Sequence, residues 1–105
     1  MARIISRGIE GVDGVSSTIR TVKSEYADDA VIDIDELSGC DGLIIGSPTH
    51  FGNMAAPLKK FIDSTTAHWF NGTLSGKLGG VFTSTSSMHG GQETTLMSMI
   101  LPLLH

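Results

Sequence analysis

Two clusters of glycine and polar residues each follow an apolar run and precede a helical pattern, and their residue types suit the grip of a flat ring that carries heteroatoms. The first is Gly46-Ser-Pro-Thr-His-Phe-Gly-Asn-Met-Ala-Ala56, behind Leu43-Ile44-Ile45. Within it Pro48, Thr49, His50, Phe51, Gly52 and Asn53 supply a hydroxyl, an imidazole, an aromatic face, a permissive glycine and an amide. Such a loop can wrap a heteroaromatic ring, with backbone N–H groups and Asn53 meeting ring heteroatoms while Phe51 covers an edge. The second cluster is Ser84, Thr85, Ser86, Ser87, Met88, His89, Gly90 and Gly91, rich in hydroxyls and glycine and placed at a helix N-terminus, where polar or anionic groups are favoured. Either loop alone reads more readily as a structural turn. Both together, at the ends of neighbouring parallel strands, would face one crevice and favour a ligand.

The elements that must position these loops can be read from periodicity. Met1, Ile4, Ile5, Ile9 and Val12 recur at helical spacing, and Gly8, Gly11, Asp13 and Gly14 end that helix in a turn. Residues 17–22 are rich in β-branched side chains and read as a short strand, whereas residues 23–33 show no period. Asp35-Glu36-Leu37 can form one helical turn, and Asp41-Gly42 turns the chain into a strand over residues 43–46. That apolar run is too continuous for a half-buried strand, so a strand covered on both faces is expected.

From Met54 onward, Met54, Leu58, Phe61 and Ile62 define an amphipathic helix whose other side carries Lys59, Lys60 and Asp63, with Pro57 tolerated in the first turn. A long polar loop through residues 64–76 is expected to hold Trp69 and Phe70. Residues 79–84 read as a second buried strand. The last helix starts near Gln92, with Leu96, Met99, Ile100, Leu103 and Leu104 on one face and a kink or loosened turn at Pro102. The architecture is α/β, with two successive strand-loop-helix units in a single domain.

Composition excludes several classes. The chain has 105 residues, a net charge of -4 and a pI near 5.4, which argues against nucleic acid as a partner. No segment approaches the roughly 20 apolar residues of a membrane span. Cys40 is the single cysteine and reads as a bystander in a reducing compartment, so a cytoplasmic location is expected. No pair among His50, His68, His89 and His105 has the i, i+4 spacing of a zinc site, and no metal is expected. There is no Gly-x-Ser-x-Gly elbow, and Gly76-Lys77 lacks the glycine spacing of a phosphate loop.

The segment Gly46-Ser-Pro-Thr-His-Phe-Gly-Asn-Met, the downstream Trp69, and Thr83-Ser-Thr-Ser-Ser-Met-His-Gly-Gly-Gln-Glu93 resemble the flavin loops of the WrbA-type NAD(P)H:quinone oxidoreductases, which are flavodoxin-like FMN enzymes. The resemblance runs over essentially the whole chain. It implies a doubly wound parallel sheet with Pro48, Thr49, His50, Phe51, Gly52 and Asn53 against the isoalloxazine ring of FMN. Residues 84–91 would flank the ring and ribityl side, and Trp69 would line the quinone pocket. His50 stands where many members carry Arg, and could donate a hydrogen bond to the ring or to a quinone oxygen. The implied chemistry is ping-pong: NADH or NADPH gives a hydride to the flavin and leaves, and a quinone then takes two electrons. The resemblance also implies a homo-oligomer, a tetramer with flavin sites near subunit contacts.

The same resemblance implies an incomplete sheet. Met1 matches the middle of the family's first helix, so the first strand and the hydroxyl-rich loop for the FMN phosphate are expected to be missing, as is the region after His105. Two further readings therefore stand beside the enzyme: a non-catalytic fragment of one, and an electron carrier of the flavodoxin class.

Overall fold

The computed structural model describes residues 1–23, 25 and 28–105, which form two compact units, Met1–Ile32 and Asp33–His105. In the first, helix α1 (Ala2–Glu10) follows the predicted periodicity and stops where the Gly11 N–H bonds to the Arg7 carbonyl. Gly14 then turns the chain with a φ of 77°. The Arg3 guanidinium reaches Asp29 at 3.2 Å, and the hydroxyls of Ser6 and Ser17 lie 2.6 Å apart.

The strand expected over residues 17–22 does not form. Among the described residues, pairing is confined to a single parallel bridge between Thr21 and Val31. β-branched side chains favour an extended chain, but a strand needs a ladder partner along its length, and here only Thr21 has one. Three of the residues expected to lack a period, at positions 24, 26 and 27, lie outside the described residues.

The second unit opens with a 3-10 helix, Ile34–Gly39, where the single turn was expected. Asp33 and Glu36 form a reciprocal capping box: the Asp33 carboxylate accepts from the Asp35 N–H, and the Glu36 carboxylate accepts from the Asp33 N–H at 3.1 Å. The Lys77 ammonium donates to the carbonyls of Leu37 and Ser38 at 2.8 and 2.9 Å, tying this helix to the start of the second strand. The Cys40 thiol donates to the Leu37 carbonyl and is half-buried.

Strand β1 (Gly42–Pro48) pairs in parallel with β2 (Leu78–Ser84), in a register that sets Ile45 beside Val81 and Ser47 beside Thr83. Between them run α2 (Ala56–Ser64) and α3 (Thr66–Phe70), and after β2 comes α4 (Gln92–Leu104). The two strand-loop-helix units are thus present, as one side of a parallel sheet that among the described residues has two strands.

Coverage of the sheet differs from the expectation of strands buried on both faces. Ile45 and Ser47 are each 6% exposed, whereas Ile44, pointing the other way, is 47% exposed. No residue of β2 is fully buried. The reason is that α2 and α4 share one face: Phe61, Ile62, Pro102 and Leu103 border a small cavity with Leu43 and Ile45. A Cβ at Gly79 would meet Leu103 at 3.4 Å, so α4 lies close over that face. The opposite face carries Ile44 and Phe82, whose ring fills the space a side chain at Gly46 would need.

Two further expectations need correction. The polar stretch is not one long loop, because residues 66–70 close into α3, with the Trp69 N–H bonding to the Thr65 carbonyl and the Asn71 N–H to Ala67. Thr65 and Thr66 turn their hydroxyls back onto the carbonyls of Ile62 and Asp63, which consumes the polarity that suggested a loop. α4 runs through Pro102 to Leu104, ending with the His105 N–H on the Leu101 carbonyl. A proline in the last turn forfeits one ladder bond and leaves the helix intact. On the packed side of α4, Met99 and Thr95 are wholly buried, while Leu104 is exposed rather than packed. Met54 is buried as expected but precedes α2.

Candidate functional site

The first loop leaves β1 at Pro48 and closes at once into a two-residue turn. The His50 N–H bonds to the Asn53 carbonyl at 2.9 Å and the Asn53 N–H to the His50 carbonyl at 3.0 Å. Phe51 and Gly52 at its tip have φ of 52° and 72°, the paired positive values of a type I′ turn. Glycine adopts this freely; phenylalanine does so under strain. The Phe51 ring stands fully in solvent, and the His50 side chain is exposed beside it.

The base of the loop is held from below. The buried Ser47 hydroxyl accepts the Ala55 N–H at 2.8 Å and so satisfies one of the free donors at the head of α2. The Met54 N–H is shared between the Asn53 side-chain oxygen at 2.9 Å and the Ser98 hydroxyl at 3.0 Å. Asn53 thus turns its oxygen to the next residue's N–H and leaves its side-chain N–H groups for a ligand. Thr49 donates its backbone N–H to the Ser84 carbonyl and approaches the Thr83 hydroxyl at 3.2 Å, which ties the first loop to the end of β2.

The second loop spans residues 85–91 and ends at Gly91, which caps α4 with a φ of 89°. The two loops touch backbone to backbone here. A Cβ on Gly91 would lie 3.0 Å from the Gly52 Cα and 3.2 Å from the Thr49 methyl, and one on Gly52 would lie 2.7 Å from the Thr94 hydroxyl. At Gly90 the hydroxyls of Thr85 and Ser87 occupy the space of a side chain. Ser86, Met88 and His89 are exposed, and His89 has a φ of 50°. Among the described residues Phe51 and His89 are the non-glycine positions with positive φ, one in each loop. Strain of this kind gathers where a loop is shaped for a ligand.

Gln92, expected only as the start of the last helix, belongs with these loops. Its amide N–H donates to the Ser87 carbonyl at 3.3 Å, while its side-chain oxygen is buried with no hydrogen-bond partner among the described residues. A buried acceptor without a donor is costly, by about 1–3 kcal/mol. A ligand N–H or O–H would remove that cost. The signal for it was the position itself, directly after Gly90-Gly91 at the head of a helix.

Trp69 is placed elsewhere. Its indole N–H donates to the His105 carbonyl at 3.3 Å, and its ring stacks on the His105 imidazole with centroids 5.4 Å apart. His105 ends α4, whose other end abuts the loops, so Trp69 lies about 20 Å of helix away from them. Pro48, Thr49, His50, Phe51, Gly52 and Asn53 are thus brought to residues 84–91, and Trp69 is not.

Residues 16–101 match the profile of a family described as NADPH-dependent FMN reductase. The whole chain aligns with proteins named NAD(P)H dehydrogenase (quinone): at 38% identity with one from Syntrophobacter fumaroxidans and at 43% with one from Chromohalobacter salexigens. It spans 60% and 59% of their respective lengths. Among solved structures, a flavodoxin, WrbA-like protein from Agrobacterium tumefaciens superimposes with a TM-score of 0.61 at 32% identity, over 65% of this chain and 43% of that one. The α/β arrangement is flavodoxin-like.

Proposed function

Since the chain belongs to the NADPH-dependent FMN reductase family, we propose that its two loops hold the isoalloxazine ring of FMN in an NAD(P)H:quinone oxidoreductase. The observation that carries this reading is the close contact of Gly52 with Gly91, which sets the two loops side by side next to a buried Gln92 oxygen that has no donor among the described residues. The residues fit the group. Pro48, Thr49 and the Asn53 amide would meet one side of the ring system, Phe51 would cover its edge, and the hydroxyls of Ser84, Thr85, Ser86 and Ser87 would meet its polar side. Met88, His89, Gly90 and Gly91 complete that wall, and the Gln92 oxygen would accept a flavin N–H or ribityl O–H.

Bound FMN would supply two-electron redox chemistry, taking a hydride from NADH or NADPH in one half-reaction and reducing a quinone in the next. The protein's part is to hold, orient and shield. The His50 imidazole, exposed at the turn, would donate a hydrogen bond to the ring or to the quinone oxygen, which makes it the candidate catalytic group. Trp69 could line the quinone pocket only from another copy of the chain, because α4 separates it from the loops of its own, and this favours a homo-oligomer such as a tetramer. The family match crosses the boundary between the two compact units, which supports one partial flavodoxin-like domain over residues 1–105. The single, unpaired cysteine fits a cytoplasmic location. Among the described residues no helix is long and apolar enough to cross a membrane.

The reading is tested by loading the purified chain with FMN, removing free flavin, and adding NADPH or NADH without oxygen. The yellow absorbance is expected to bleach and to return on addition of benzoquinone, over repeated cycles. Retained flavin that neither donor bleaches would indicate an electron carrier. A chain that retains no flavin would indicate a non-catalytic fragment.

A further inference from the structure

An open groove of about 560 Å³ lies on the α2 side of the first loop, lined by His50, Phe51, Met54, Lys59, Lys60 and Asp63. Its size falls within the range of small-molecule sites, roughly 300–1,000 Å³. From Ala56 to Asp63 its lining follows α2 for about 10 Å. Its floor is apolar, since Met54 is 7% exposed, and the free Phe51 ring stands at its mouth.

The charge of the groove runs against that of the chain. Acidic residues outnumber Lys and Arg by 11 to 7 overall, yet two lysines are adjacent here. Lys59 is held by the Asp63 carboxylate at 2.5 Å, which cancels its charge. Lys60 is exposed and has no ion-pair partner among the described residues, so the groove keeps a net positive charge. An apolar floor, an aromatic wall and one uncommitted ammonium suit a ligand that joins a flat ring to an anionic group.

We propose that this groove takes the phosphorylated adenosine end of the pyridine-nucleotide donor, with adenine against Phe51 and Met54 and the Lys60 ammonium on the 2′-phosphate, so that NADPH is preferred to NADH. This rests on the reading that the loops hold a flavin: a donor whose nicotinamide meets that ring must lay its adenosine end nearby, and the groove opens from the same His50-Phe51 turn.

The test is equilibrium binding of adenosine 2′,5′-bisphosphate, adenosine 5′-monophosphate and inorganic phosphate to the chain and to Lys60→Glu and Lys60→Gln. The bisphosphate is expected to bind about tenfold more tightly than the monophosphate, the preference vanishing in Lys60→Glu and shrinking in Lys60→Gln. Lys60 is exposed, so both variants should keep the wild-type circular dichroism. An unchanged preference in the variants, or inorganic phosphate binding as tightly as the bisphosphate, overturns the assignment. An FMN titration of the same samples separates the two claims: flavin retention without any bisphosphate preference overturns the groove alone, and the preference without flavin retention supports the groove while counting against the flavin reading.

Discussion

Replacing Gly91 with alanine should lower the stability of the chain by about 2–5 kcal/mol, the sum of a left-handed backbone penalty and crowding in a close-packed contact. The alanine would have to keep a φ of 89° and set its methyl 3.0 Å from the Gly52 Cα, against backbone that has no side chain to swing aside. The loops must then part, and FMN affinity should fall at least about tenfold, the equivalent of 1.4 kcal/mol. Gly76→Ala is the control. Gly76 has a φ of 79°, but nothing lies within 4 Å of its missing Cβ, so it should lose only the backbone share, about 1–2 kcal/mol, with FMN affinity unchanged. Urea unfolding and flavin fluorescence titration of both variants measure the difference. Equal effects at the two positions would mean that the Gly52–Gly91 contact does not shape the site.

Met99→Ala should cost about 2–5 kcal/mol, because a fully buried side chain in a packed core leaves a cavity that the surroundings only partly fill. Met99 is 0% exposed, and α4 lies along the sheet face that carries Ile45 and Val81. Met97, two residues earlier on the same helix, is 51% exposed, and its alanine variant should stay within about 0.5 kcal/mol of wild type. Small domains are stable by only about 5–15 kcal/mol, so the core variant should show a large shift in its urea midpoint. Similar midpoints for the two variants would show that α4 is not seated on the sheet as described.

The legible parts of this chain were those in which local pattern and tertiary packing agree. The two parallel strands, the amphipathic α2, the start of α4 and both glycine-rich loops could be read from residue types and spacing, since each combines a period with a breaker. The illegible parts depended on partners that no local window contains. Residues 17–22 have strand propensity but pair only at Thr21. Leu43-Ile44-Ile45 is apolar throughout, yet only one face is covered, because α2 and α4 sit on the same side. α3 was hidden by threonines at its start whose hydroxyls bond back to the last carbonyls of α2 rather than to water.

The site shows the same division. Residue types identified the loops, but which atoms remain free was decided by hydrogen bonds, one of them across 44 residues, that residue types do not show. The Asn53 oxygen and the Ser98 hydroxyl share the Met54 N–H, and Gln92 is left with a buried acceptor. The distance of Trp69 from the loops followed from the path of α4 and could not be read from its place in the sequence.

The most direct test of the central claim is to follow the backbone amides of the nitrogen-labelled chain by NMR during titration with FMN. Thr49, His50, Phe51, Gly52 and Asn53 are expected to shift together with residues 85–91 and the Gln92 side-chain amide, along one saturable curve. Shifts confined to one loop, scattered over the surface, or absent at saturating flavin would contradict it.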